Sequence, residues 1–138
     1  MPKPITPLLT VDAVILYNNK KDIILIRRKN PPFQGDLALP GGFVDIGETV
    51  ENACIREAQE ETNVVVKITK LIGVFSNPKR DPRGHTVTIA FLCEPVDKRR
   101  KPKAQDDAAA LEIIPLTKIS KLRLAFDHME IIKAAAVL

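Results

Sequence analysis

An α+β fold, a mixed β-sheet with a few helices packed against it, is what this chain predicts, and three features predict it. Extended segments rich in Val, Ile and Leu alternate with loops that carry Pro and Gly. Two stretches show helical rather than strand spacing, one mid-chain and one at the end. The 138 residues suit one domain, taken as residues 1–138.

The elements follow in order. Residues 8–17 read as a strand, and Asn18-Asn19-Lys20-Lys21 as a polar turn. Residues 22–28 read as a second strand, so the two are expected to form a hairpin. Residues 29–36 hold Pro31, Pro32 and Gly35 and are loop. Residues 37–44 are a short strand broken by Pro40-Gly41-Gly42. Residues 49–62 form the first helix, with Thr49 as N-cap and Glu51 in the first turn, where the helix dipole favours an acid. Residues 64–75 are extended, 76–85 a loop with Pro78, Pro82 and Gly84, and 86–93 a strand. Residues 95–107 are loop with a basic run at 98–101, 111–116 a strand, and 123–138 the second helix.

Hydrophobic residues make up 45% and charged residues 28%, which excludes a disordered or collagen-like chain. No apolar run exceeds five residues, against about 20 for a spanning helix. Neither a membrane nor a nucleic acid is expected as partner. The net charge of +4 favours anionic partners such as nucleotides without naming one. Cys54 and Cys93 lie in apolar stretches and read as reduced, buried thiols of a cytoplasmic protein.

The informative segment is the first helix. Its inward stripe runs Val50, Ala53, Cys54, Glu57, Glu60, Glu61, Val64, apolar at first and then acidic on the same face. Like charges at this spacing repel, and in an enclosed site the cost grows unless a cation neutralises them. A hard divalent metal is the simplest partner, since Mg²⁺ takes oxygen ligands from one or two carboxylates plus substrate phosphates. An isolated E-x-x-E-E is more commonly a solvated helix end. Here Gly41-Gly42 precedes the helix, Gly47-Glu48 opens it, and Arg56 stands beside Glu57, where it can orient a carboxylate.

Gly42, Glu48, Arg56, Glu57, Glu60 and Glu61 stand in the spacing G-x5-E-x7-R-E-U-x-E-E-x-G-U, where U is apolar. This resembles the Nudix box of the Nudix hydrolases and covers residues 42–64. Ala58 and Val64 fill the apolar positions, and Asn63 replaces the late glycine. Asn is the next best residue for a left-handed cap. The resemblance implies a Nudix-type α/β/α sandwich with a mixed sheet and a loop-helix-loop motif. It also implies metal-assisted hydrolysis of a nucleoside diphosphate derivative. Mg²⁺, or Mn²⁺, would sit on Glu57 and Glu61, with Glu60 joining them or handling the water and the Gly41 carbonyl completing the set. Gly42, Glu48 and Asn63 would be structural, and Arg56 would hold a carboxylate in place. Glu60 is the favoured base, with Asp106, Asp107 and Glu112 as alternatives.

The loop 76–85 brings Lys79, Arg80 and Arg83 close after the box, where they either grip phosphate or form an ordinary basic loop. Arg27 and Arg28 end the second strand and either touch phosphate or make surface pairs. The loop, with its proline, and the tract Leu124-Ala-Phe-Asp-His-Met129 resemble the ADP-ribose pyrophosphatases of the family, many of which are dimers. ADP-ribose cleaved to AMP and ribose 5-phosphate is therefore the expected reaction. A nucleoside triphosphate hydrolase of the same family, and a non-catalytic nucleotide sensor, are the alternatives. Phe33, Phe75 and Phe126 could stack on a base or pack into the core. Leu37 stands where many relatives carry Trp. His85 and His128 are given no metal.

Overall fold

A computed structural model describes residues 2–97, 99–104 and 108–138. The strands are β1 (Leu8–Tyr17), β2 (Asp22–Arg28), β3 (Leu37–Ala38), β4 (Gly41–Phe43), β5 (Val66–Phe75), β6 (Thr86–Pro95) and β7 (Ala108–Pro115). The helices are α1 (Val50–Thr62) and α2 (His128–Ala134), with a 3-10 segment at Leu116–Lys121.

The sheet runs β3-β2-β1-β6-β5, with β4 also on β1 and β7 also on β2. β1 and β6 are parallel over eight pairs, from Leu8↔Thr86 to Ile15↔Cys93, so the sheet is mixed. β1 is buried on both faces from Val11 to Leu16, which is why it reads as a nearly unbroken apolar run. Its alternation sorts the core into two layers. Val11, Ala13 and Ile15 pack with Ala53, Cys54 and Ala58 of α1. Val14 and Leu16 face Ile131 and Ile132 of α2, together with Ile119. Helices therefore cover both faces, the α/β/α arrangement that the box implied.

Three expectations need correction. The β1–β2 hairpin exists only at its turn, where Leu16 pairs with Ile23 and Tyr17 with Asp22. Beyond that the strands diverge, since β2 gives its ladder to β7 and the start of β1 gives its own to β4. The last helix covers Leu–Ala–Phe–Asp poorly and begins only at His128. Leu124 bridges to Leu37, Ala125 N–H donates to the Leu37 carbonyl at 2.8 Å, and Phe126 sits at φ +51°, all incompatible with helix. At the far end Ala136, at φ +57°, stops it. The break in residues 37–44 falls at Leu39-Pro40, and the two glycines lie within β4.

Candidate active site

The helix α1 is set by its ends. The Thr49 hydroxyl accepts from Asn52 N–H at 3.1 Å, and Asn63 takes the left-handed cap at φ +64° with its N–H on the Gln59 carbonyl. Ala53 and Ala58 are fully buried, so small side chains bring the helix close to the sheet. β4 lies beside it and presents Gly41 and Gly42.

Arg56 organises the acids. Its Nε and Nη2 donate to the two oxygens of Glu48 at 2.7 and 2.9 Å, a bidentate pair. Nη1 donates to Glu57 at 2.8 Å and to Glu60 at 3.1 Å, and Nη2 also reaches the Phe43 carbonyl at 3.1 Å. The Arg56 hydrogen bonds, helped by Asp45 N–H, hold Glu48 down to a pKa of about 2. Hydrogen bonding to Glu48 and Glu57 raises Arg56 itself. One guanidinium thus ties the loop before the helix to the acids on it.

Glu57 and Glu61, one helical turn apart, line a cleft of about 320 Å³ with Gly41, Gly42, Asp45, Arg28, Arg80, Arg83, Phe126 and His128. Glu61 is only 5% exposed. Glu60 does not join them. The 100° between successive helical residues turns it to a separate hollow beside Arg56 and Arg100, 45% exposed. Among the described residues no three acid, histidine or cysteine side chains converge into a ready metal cage. The donors nonetheless suit a hard cation, because Mg²⁺ needs only one or two carboxylates and completes its shell with water and phosphate. Gly42 leaves the space over one of them open: a Cβ there would lie 2.5 Å from the Glu57 carboxyl carbon and 2.6 Å from both oxygens.

The basic residues divide. Arg28 and Arg83 line the cleft. Arg27 does not: its Nε pairs with Glu112 across the β2–β7 ladder, and Nη1 donates to the Gly35 carbonyl at 3.0 Å. That pairing also engages Glu112, one of the alternative bases. Asp106 and Asp107 lie outside the described residues, as does Lys98 of the basic run. Lys79 is not among the cleft residues; its backbone N–H closes a turn on Asn77. Arg80 reaches the cleft, but its side chain is 5% exposed and bidentate to Asp127 at 3.0 and 2.8 Å, with Thr86 Oγ1 accepting at 2.9 Å. Its guanidinium is thus engaged by neighbours within the fold. Phe75 packs into the α2-side core, not against the cleft.

A buried polar cluster under the cleft was not anticipated. Asp12 is 7% exposed; Thr88 Oγ1 donates to its Oδ2 at 2.7 Å, Arg80 lies at 3.9 Å, and His128 Nε2 faces its Oδ1 at 3.5 Å. Leu39 N–H donates to His128 Nδ1 at 2.9 Å, which places the ring proton on Nε2. Burial raises Asp12 to about 7, against the opposing pull of Thr88 and Arg80, and burial lowers His128 to about 3. The cluster joins β1, β6, the loop 76–85, α2 and the Leu39-Pro40 link between β3 and β4. One signal was available: Asp12 is the lone charge in a mostly apolar strand. Cys54 and Cys93 are buried free thiols with their sulfurs 3.8 Å apart.

Residues 6–135 match the family model described as NUDIX domain. The chain belongs to the Nudix family. It is 50% identical over 127 residues to a protein named ADP-ribose pyrophosphatase from Methanocaldococcus jannaschii, covering 92% of this chain and 72% of that one. The Nudix domain of Shewanella oneidensis NrtR, solved with ADP ribose, superposes with a TM-score of 0.82 at 32% identity, covering 95% and 87% of the two chains. A bifunctional NMN adenylyltransferase/ADP ribose pyrophosphatase from Francisella tularensis, solved with AMP and a Mn ion, gives a TM-score of 0.83 at 32% identity over 95% of this chain and 41% of that one. The segment 42–64, which resembles the Nudix box, folds as β4, a loop, α1 and the Asn63 cap. No described helix is long and apolar enough to cross a membrane.

Proposed function

We propose that this chain hydrolyses the pyrophosphate bond of ADP-ribose, giving AMP and ribose 5-phosphate, with Mg²⁺ or Mn²⁺ as the working ion. One observation carries this: Glu57 and Glu61 of one helix face open into a cleft that also carries Arg28 and Arg83. Acids for a cation and cations for an anion in one cleft suit a metal-bound polyphosphate better than either alone. The half-identical relative named for that activity, and neighbours solved with ADP ribose or with AMP and a Mn ion, favour the same substrate.

Glu57, Glu61 and the Gly41 carbonyl would hold the ion. When bound, it neutralises phosphate oxygens and makes water a stronger nucleophile at phosphorus. The residues do the rest. Arg56 sets the Glu57 carboxylate from behind, Glu48 sets Arg56, and Glu60 acts through Arg56 from the solvent side. Arg28 and Arg83 hold the diphosphate. The water adds to one phosphorus, the bridging P–O bond breaks, and its oxygen leaves with the other phosphate. We place the reaction in the cytoplasm, in keeping with the two reduced thiols, and in a homodimer, which sedimentation would test.

A substrate panel with Mg²⁺ tests the proposal. AMP released from ADP-ribose supports it, and preference for a nucleoside triphosphate, giving monophosphate and pyrophosphate, sinks it. Binding of ADP-ribose without turnover would instead make the chain a sensor.

A further inference from the structure

Phe126 has no place in the chemistry above, yet it is held at a cost. Its backbone sits at φ +51°, a region bulky side chains rarely occupy. It is fixed on both sides: Ala125 N–H bonds to the Leu37 carbonyl, and Asp127 is clamped by Arg80. Phe33, also in the left-handed region at φ +59°, packs against its ring at 4.8 Å between centroids and 59° between planes, and His128 lies at 5.3 Å. The Arg28 guanidinium lies over the Phe126 ring at 4.9 Å, and that of Arg83 at 5.8 Å.

These two arginines come from different elements, Arg28 from the end of β2 and Arg83 from the loop 76–85, and would repel each other in the cleft. Each is steered separately, Arg28 by the Pro32 carbonyl at 2.6 Å and Arg83 by Asp81 at 2.8 Å. Arg83 also lies 5.8 Å from the Phe43 ring. What they share is the negative face of Phe126. With its neighbours occupied in this way, the ring is a seat for guanidinium groups rather than an open shelf for a base.

We propose that Phe126 is a positioning residue that holds Arg28 and Arg83 together as a clamp for a diphosphate. This rests on the reading of the cleft as a diphosphate site and adds what aims its cations. The expected signature is a KM effect. Phe126→Leu keeps apolar bulk and the same backbone but removes the ring. It should weaken binding of inorganic pyrophosphate to metal-free protein about tenfold and raise KM for ADP-ribose similarly, with kcat changed by less than about threefold. Phe126→Tyr keeps the ring and should stay within about twofold of wild type.

Calorimetry with inorganic pyrophosphate on wild type, Phe126→Leu, Arg28→Ala and the double variant decides the matter. The loss from Phe126→Leu should shrink once Arg28 is gone, because part of its effect runs through Arg28. Equal loss in both backgrounds, wild-type affinity in Phe126→Leu, or no pyrophosphate binding by wild type would overturn the proposal. Arg28→Lys serves as a second variant that leaves the aromatic packing untouched: it keeps the charge but loses the planar stack, and should weaken binding several-fold. Unchanged affinity there also overturns it. Pyrophosphate binding needs no turnover, so a wrong clamp appears in calorimetry and a wrong substrate appears in the products.

Discussion

Replacing Gly42 by Ala should separate activity from folding. The backbone at Gly42 is not in the left-handed region, so alanine meets no conformational bar. Its Cβ would lie 2.5 to 2.6 Å from the Glu57 carboxylate, whereas ordinary contact begins at 3.4 Å. The carboxylate must therefore retreat by about 0.9 Å, the difference between those distances. It is the end of a flexible side chain and can do so cheaply, so the stability change should stay within about 1 kcal/mol. Catalysis is less forgiving, because misplacing a functional group by about 1 Å can cost about 100-fold in rate. Thermal melting and initial rates on ADP-ribose with Mg²⁺ measure the two effects. Gly41→Ala is the contrast. Its Cβ would strike the Val11 carbonyl and lie 3.1 Å from Asp12 Cα, so backbone must move and about 1 to 3 kcal/mol of stability should go. Full activity in Gly42→Ala, or a melting loss as large as that of Gly41→Ala, would refute the reasoning.

Four further outcomes are expected. Glu57→Gln should fold normally and lose turnover; an active variant would remove Glu57 from the chemistry. Arg80→Met strands Asp127 and Asp12 beneath the cleft and should cost about 3 to 5 kcal/mol in urea unfolding, and a loss below about 1 kcal/mol would contradict its structural role. Glu48, held at about 2, contributes stability present above its unfolded value and lost as pH falls toward 2, so Glu48→Gln should flatten acid unfolding in that window. Asp12 and His128 pull oppositely. The folded state holds an extra proton on Asp12 up to about pH 7, so this group loses stability as pH rises from about 4 to 7. The unfolded state protonates His128 first, so this group loses stability as pH falls from about 6.5 to 3. The slopes offset each other between about pH 4 and 6.5. Asp12→Asn should expose the acid sensitivity of His128, measured by denaturant unfolding across that range, and an unchanged profile would contradict it.

What the chain disclosed in advance was local. The bounds of β1 and β2, the start of α1 at Thr49 and the pairing of Arg56 with neighbouring acids all follow from residues a few positions apart. The sandwich itself was legible through the box. What stayed hidden depends on partners far away in the chain. Arg80 reads equally as a phosphate ligand or as part of an ordinary basic loop, and its pairing with Asp127, far along the chain, has no local signal. Asp12 and His128 meet only because β1, β6 and α2 are layered. The helical spacing of residues 123–138 was overridden by the bridge from Leu124 to Leu37, a tertiary contact with no local signature. Even within α1, the stripe that grouped Glu60 with Glu57 and Glu61 was too broad: Arg56 draws Glu60 to the outer side.

The most direct test of the account is cation uptake by α1. Titration of Mg²⁺ or Mn²⁺ into the protein, with and without ADP-ribose, should show binding in wild type that weakens at least about tenfold in Glu57→Gln and in Glu61→Gln. Wild-type uptake unaffected by either change, or no uptake at all, would contradict it.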